Sequence, residues 1–264
     1  MSEGNGKKRV IKVSISIPNE GHTQPAAYDN RLEFAIHLGM LQAMSHFGHH
    51  DYQGVHYEFP DDVEYEFYWS TIGRVLTPLA RERLTDWALQ AGMDYMLMID
   101  DDMIIPRNMF EKLIRHNVDV VAPLAFMRQP PHKPVIYRVT EGYDKVRCME
   151  YYVTQIVTNY PKDTLVECDA VGFGSALIKM DAVKKMQKPY FMSTTQSGED
   201  LWFCKCAREA GARIYMDTSV KLGHLGDSPI ITEETFEKEF NSEEMRKLHG
   251  DWKGKQREII YEKN

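Results

Sequence analysis

No apolar run in this chain approaches the ~20 residues a membrane-spanning helix needs. Runs such as Tyr95–Ile99 stop far short of it. The opening stretch, Met1 to Arg9, is polar and basic and lacks the apolar core of a secretory signal. Cysteine is scarce. The four present (Cys148, Cys168, Cys204 and Cys206) form no disulfide framework and suit a reducing compartment. These absences set the expectation of a cytoplasmic protein. Cys204 and Cys206 lie two apart in an expected helix, about 200° around its axis, which is poor geometry for gripping one metal. Excess positive charge is also missing. With 32 Lys and Arg against 39 Asp and Glu, the net charge is −7, which argues against a surface that tracks nucleic-acid phosphates. There is no internal repeat, low-complexity tract or Pro/Gly/Ser linker.

What remains is an ordinary globular composition, 43% hydrophobic and 27% charged, in 264 residues, enough to bury a sizeable core. Val10–Ile17 reads as a strand. Arg31–His46 reads as a helix, with Leu32, Ile36, Met40, Ala43 and Phe47 at helical spacing. Val63–Tyr68 alternates like a strand. Leu79–Ala91 is a helix striped by Leu76, Ala80, Leu84, Trp87 and Ala91 and stopped by Gly92. Tyr95–Ile99 is a short, almost wholly apolar strand, the pattern of one covered on both faces. Pro106 is expected to open the next helix, to about His116, and Val118–Pro123 is another buried strand. This β-α-β-α-β-α-β order implies a parallel sheet with helices on its faces.

The second half is less regular. Phe126–Pro134 holds three prolines and must be a loop, and it carries Arg128, His132 and Lys133. Strands are expected at Val135–Val139, Tyr152–Val157, Leu165–Val171, Ser175–Met180 and Arg213–Met216. Helices are expected at Asp181–Met186 and Gly198–Ala210. The fold class expected is α/β: one domain over residues 1–231, mostly parallel in its first half and mixed in its second, then a charged helical tail over 232–264.

Four clusters carry chemistry. Asp100, Asp101 and Asp102 follow the buried strand directly, at the sheet edge where open α/β folds bind ligands. Three adjacent carboxylates repel one another. A hard divalent cation with a bound phosphate offsets that, and in extended chain Asp100 and Asp102 project to the same side. Ser197-Gly198-Glu199-Asp200 opens a helix. Ser197 suits an N-cap there, and either acid suits a general base. His224 sits between Gly223 and Gly226, where a neutral imidazole can complete a cation's shell. Gly172-Phe173-Gly174 links two strand-like runs. No helix follows, so the dinucleotide fingerprint fails, and close approach or a sheet bend is the better reading.

Taken in order, these pieces resemble the GT-A glycosyltransferases, especially the inverting family-two-like group. The resemblance rests on Thr77-Pro-Leu-Ala-Arg81-Glu82, Tyr95-Met-Leu-Met-Ile-Asp100-Asp-Asp102, Val171-Gly-Phe-Gly-Ser-Ala-Leu-Ile-Lys179, Gly198-Glu-Asp-Leu-Trp-Phe-Cys204, then Asp217 and His224, over about Val10 to Gly226. It implies a nucleoside-diphosphate sugar as donor, with a UDP-sugar favoured, and Mn²⁺ or Mg²⁺ as cofactor. It implies that Asp102, Asp100 and His224 hold the metal. It places Pro18, Asn19, Ser70 (with Thr71), Arg81, Asp100 and Asp101 around the donor. Asp200, with Glu199 beside it, matches the catalytic base of direct, inverting displacement. Gly172, Phe173 and Gly174 would floor the acceptor side. Glu82 departs from the family's Ala-Arg-Asn stretch, and Asp101 falls at a variable position. The loop Phe126–Pro134 is expected to fold over the diphosphate. The acceptor stays open: glycan, lipid, protein, small molecule or modified DNA base.

Two other readings share part of this pattern. A sugar-phosphate nucleotidyltransferase uses the same sheet edge. However, Pro18–Pro25 carries neither Lys nor Arg where such enzymes have a basic Gly-rich loop. A non-catalytic carbohydrate-binding protein on a degenerate scaffold would keep the fold without the acids.

Overall fold

The computed structural model describes residues 7–19, 24–144, 149–195, 197–226, 230–240 and 242. In chain order the elements are β1 (Arg9–Asn19), α1 (Pro25–Phe47), β2 (Asp51–Tyr52), β3 (Val55–His56), β4 (Val63–Gly73), α2 (Thr77–Gln90), β5 (Tyr95–Ile99), β6 (Met103–Ile104), α3 (Met109–Ile114) and β7 (Val120–Leu124). There follow β8 (Ile136–Asp144), β9 (Met149–Ile156), β10 (Leu165–Cys168), β11 (Ala170–Val171), β12 (Ser175–Lys179), α4 (Met180–Val183), α5 (Glu199–Glu209), β13 (Ile214–Lys221), β14 (Gly223–Leu225), β15 (Ile230–Ile231) and α6 (Glu233–Phe240).

A seven-stranded sheet carries the fold, ordered β10-β13-β7-β12-β5-β1-β4. β4, β1, β5, β7 and β13 run one way, while β12 and β10 run the other. The mixed α/β class therefore holds, with one change. β5 and β7 do not pair with each other, because β12 from the second half of the chain lies antiparallel between them. Sequence order alone suggests neighbours. Here pairing is decided by burial, since β12 (SALIK) is apolar enough to sit in the centre of the sheet.

Alternation along the central strands splits the core into two layers. On β5, Leu97 and Ile99 face a layer with Phe34, Leu38 and Leu41 of α1 and Phe110 and Leu113 of α3. Met96 and Met98 face the opposite layer, with Ala88 of α2, Met180 and Val183 of α4, and Phe203 and Ala207 of α5. A five-residue strand so enclosed fixes the height at which the chain emerges at Asp100.

Several local expectations are corrected. The Leu32–Ile36 stripe of α1 faces out: Leu32 is 52% and Ile36 57% exposed, whereas Phe34, Leu38, Leu41 and Met44 are buried. Pro25 stands in the first turn of α1, so the helix starts a turn and a half before Arg31. On α2, Leu76 and Trp87 are exposed, and Arg81 takes a place on the buried face. Pro106 does not open α3. The helix starts at Met109, whose N–H donates to the Pro106 carbonyl. Leu165–Val171 is two strands divided at Asp169, whose carboxylate accepts the Val139 N–H at 2.8 Å. Ser197 is not the cap of α5: that position is Gly198, and Ser197 bonds Thr194 instead. Cys148 and most of the 232–264 tail lie outside the described residues. Among those described, no helix is long and apolar enough to cross a membrane.

Candidate active site

The parallel strands β1, β4 and β5 end together. A cleft at that edge is lined by Pro18 and Asn19 from β1, Val75, Thr77 and Ala80 around the start of α2, and Asp100, Asp101 and Asp102. Gly73 pairs with Asn19, and a Cβ at Gly73 would lie 3.2 Å from the Asn19 carbonyl oxygen, so its small size keeps the two strand ends close. Ser70 is half-buried on β4, with its hydroxyl 3.4 Å from that of Ser16. Thr71 donates to the Ile17 carbonyl.

The first acid is held from two sides. Its backbone N–H donates to the Gly174 carbonyl at 2.9 Å, just where β12 begins to pair with β5. Its carboxylate receives Arg81 Nη2 at 2.7 and 2.8 Å. The same guanidinium reaches Glu199 through Nη1 at 3.0 Å and the Phe173 carbonyl through Nη2 at 3.3 Å. Arg81 is only 3% exposed. Burial pushes the Asp100 carboxyl up to about 6, even with the Arg81 charge and hydrogen bonds pulling it down. Arg81 thus bridges two sequence clusters 99 residues apart, joining the first acid of the triplet to the start of α5.

At the other end of the triplet, β6 and β14 pair antiparallel and bring His224 opposite Met103. Leu225 N–H donates to the Asp102 carbonyl at 2.9 Å. Gly223 is needed for this approach, because a Cβ there would meet Ile230 Cγ2 at 2.7 Å and Ile104 Cβ at 3.2 Å. His224 Nδ1 lies 2.7 Å from the Phe126 carbonyl, and Nε2 lies 3.1 Å from Asp102 Oδ2. A carbonyl and a carboxylate both accept, so this geometry favours the protonated ring. Burial lowers the His224 pKa, but the Asp102 and Phe126 acceptors outweigh it and the net shift is upward. Burial likewise raises Asp102, but His224 and Arg128 reverse that and hold it below the usual carboxylate range. Arg128, from the loop between β7 and β8, donates to the same Asp102 Oδ2.

Two side chains at this end are of types that can ligate a divalent cation. Asp102 offers carboxylate oxygen, and His224 offers Nε2 once its proton leaves. The Phe126 carbonyl at Nδ1 fixes the orientation of the ring. Asp100 differs, since both its oxygens are engaged by Arg81. Among the described residues no group of three or more His, Cys, Asp or Glu side chains is arranged to hold a metal, so a cation here would complete its shell with water or with oxygens of a bound substrate.

Asp101 is buried. With Asp102 it faces Arg31 of α1, whose pKa burial lowers and these two charges raise. The neighbouring Asn30 clamps Ile105, accepting its N–H at 2.8 Å and donating to its carbonyl at 3.0 Å. Asp200 accepts the Leu201 N–H at 2.8 Å. Burial raises its pKa, partly offset by the Arg81 charge and reinforced by Glu199. Glu82 accepts the Phe191 N–H at 3.0 Å, which gives this departure a packing role.

Gly172, Phe173 and Gly174, expected on the acceptor side, are placed by their packing. All three are buried, and Phe173 is 1% exposed, in edge-to-face contact with Phe191 and Phe203 and with the Arg81 guanidinium over its ring. The close approach that the glycines allow is internal: a Cβ would meet Val135 Cβ at 2.8 Å from Gly172 and Met103 Cε at 2.7 Å from Gly174. Their work is to seat Arg81 and Asp100. Arg31 and Asn30 belong to no recognisable motif. Arg128 had one signal, its place in a proline-rich loop with two other basic residues.

No family model matches this chain, and no curated protein matches it. Solved structures do. The chain is similar to A197 from STIV, with 17% identity over 85% of this chain and 92% of that one and a TM-score of 0.52. It is less similar to GalNAc-T7, solved with UDP, GalNAc and Mn²⁺ (11% identity, 81% and 43% of the chains, TM-score 0.46). UDP-glucose pyrophosphorylase stands similarly (8% identity, 81% and 92% of the chains, TM-score 0.43, solved with UDP-glucose). At these identities the likeness to A197 establishes a shared fold and nothing finer.

Proposed function

We propose that this chain transfers a sugar from a nucleoside-diphosphate sugar, a UDP-sugar by preference, to an acceptor hydroxyl, with Mn²⁺ or Mg²⁺ bound. The observation that carries this reading is the pairing of Asp102 with His224 at the carboxyl edge of β5, two residues from Asp100, which Arg81 bridges to Glu199 beside Asp200. A cation site and a raised carboxylate at one sheet edge are the two groups that the reaction needs.

Asp102 and His224 would hold the cation, which when bound supplies positive charge to the departing diphosphate. Pro18 and Asn19 line the cleft where a nucleoside would sit, and Ser70 and Thr71 stand on β4, the strand paired with β1. Arg81 fixes the Asp100 and Glu199 carboxylates, so their repulsion does not distort the site. Glu199 is thereby committed to Arg81, which leaves Asp200 as the base. Its raised pKa makes it a stronger proton acceptor than an ordinary aspartate. In the transfer, the acceptor oxygen bonds the anomeric carbon as the bond from that carbon to the diphosphate breaks. The acceptor proton passes to Asp200, and the electron pair leaves with the nucleoside diphosphate. Attack from the face opposite the leaving group inverts the anomeric centre.

A donor screen tests this directly. Purified protein with Mn²⁺ should hydrolyse or transfer from at least one UDP-sugar, and chelation should stop it. Pyrophosphate release from UTP and a sugar phosphate, with no sugar transfer, would instead favour the nucleotidyltransferase reading.

A further inference from the structure

We propose that Arg128 is an exchangeable counter-ion: it occupies the Asp102 carboxylate until a divalent cation takes that position, and it then turns to the diphosphate of the donor. This rests on the reading above.

Arg128 and His224 converge on one oxygen, Asp102 Oδ2. A cation bound there brings two positive charges beside a guanidinium on the same atom, and the two repel. The guanidinium is the partner that can move. Its side chain is 52% exposed, whereas Arg81 is 3% exposed and bound on both arms. The backbone beneath Arg128 is anchored. Phe126 bridges Pro134, Met127 N–H donates to the Lys133 carbonyl at 2.9 Å, and His132 Nδ1 donates to the Met127 carbonyl at 3.0 Å. Two contacts tie this loop to α6: the Phe126 ring stacks on Phe236 at 5.3 Å, and His132 pairs with Glu239 at 3.2 Å. A fixed base with a solvent-facing arginine keeps the displaced guanidinium within reach of the site. The diphosphate is the anion that arrives with the cation, and a planar guanidinium matches two phosphate oxygens at once. Arg128 then serves twice, quieting Asp102 in the empty site and gripping the leaving group in the loaded one.

The test measures two affinities on the full chain by titration calorimetry, for wild type and Arg128→Gln, each checked by thermal melt for an intact fold. Without nucleotide, Arg128→Gln should bind Mn²⁺ at least threefold more tightly than wild type. With saturating Mn²⁺, it should bind UDP at least tenfold more weakly. Arg128→Lys, which keeps the charge but not the planar fork, should recover Mn²⁺ affinity close to wild type and only part of the UDP affinity. It also serves as the second variant if the glutamine protein does not fold. If Mn²⁺ affinity is unchanged or weaker, or UDP affinity is unchanged, in the folded variant, the exchange is refuted while the proposed function stands. If wild type binds neither Mn²⁺ nor UDP, the underlying reading fails and takes this inference with it.

Discussion

Arg81 and Asp100 meet through one guanidinium nitrogen, Nη2, that lies 2.7 and 2.8 Å from the two carboxylate oxygens. Because Nη1 of the same group reaches Glu199, this contact ties the end of β5 to the start of α5. Removing the arginine strands two acids against each other in a buried place. Breaking a buried ion pair from one side typically costs about 3–5 kcal/mol. Arg81→Ala should lose stability of that order in denaturant melts. Arg81→Ala combined with Asp100→Asn should recover part of it, because the stranded charge is gone.

Asp200→Asn separates chemistry from binding. A positioned general base contributes about 10²–10⁴-fold. Transfer should fall by that much while UDP affinity in Mn²⁺ stays within about twofold, as titration calorimetry would show. In wild type, Asp200 must be ionised to accept a proton, and its pKa is raised by burial against the opposing Arg81 charge and with the help of Glu199. Activity should therefore fall with decreasing pH along a limb that lies above the ordinary carboxylate value of 3.8. The pH profile of kcat/KM locates that limb.

Asp217 gives a stability test away from the cleft. It is 1% exposed and accepts from the Ser219 N–H (2.9 Å), the Ser219 hydroxyl (2.6 Å) and His116 Nε2 (2.7 Å). Burial raises its pKa, but these donors outweigh it and the folded value is below 3.8. A depressed carboxylate stabilises the fold above its unfolded pKa, and that contribution is lost as pH falls through the folded value. Asp217→Asn should be less stable than wild type at pH 7 in urea melts. The gap should narrow as the pH drops below the ordinary carboxylate range.

The two buried glycines should differ. A Cβ at Gly172 meets Val135 Cβ at 2.8 Å, next to the backbone of a stiff β-branched side chain, whereas one at Gly174 meets the far end of Met103 at 2.7 Å. Overpacking costs about 1–3 kcal/mol when neighbours cannot yield. Gly172→Ala should fall in that range and Gly174→Ala below it, as thermal melts compare them.

How much of this was legible in the sequence varied with the kind of information. Tyr95–Ile99 is read correctly because a short, wholly apolar run has few other places to go. The acid triplet then falls at the sheet edge by counting. From its own residues His224 was legible only as a histidine among glycines, and it was the family resemblance that put it with Asp102, because the approach itself depends on β6 pairing with β14. The insertion of β12 between β5 and β7 was not legible, because strand pairing is non-local. The α1 stripe was misassigned because the helix offers two apolar rows. Leu32 and Ile36 are as well spaced as Phe34, Leu38 and Leu41, and only the packing partners choose between them. Glycine has two opposite uses at a site, admitting a ligand or admitting a neighbouring side chain. At Gly172 and Gly174 it was the second.

The Asp102–His224 pair is where the functional reading is most exposed to test. The decisive measurement is UDP binding by titration calorimetry with and without Mn²⁺, in wild type and in Asp102→Ala. The expected result is Mn²⁺-dependent binding in wild type that disappears in the variant while its melting transition stays cooperative. UDP binding of equal strength in both proteins, or indifference of wild type to Mn²⁺, would contradict the assignment of Asp102 as a cation ligand and with it the proposed metal-dependent transfer.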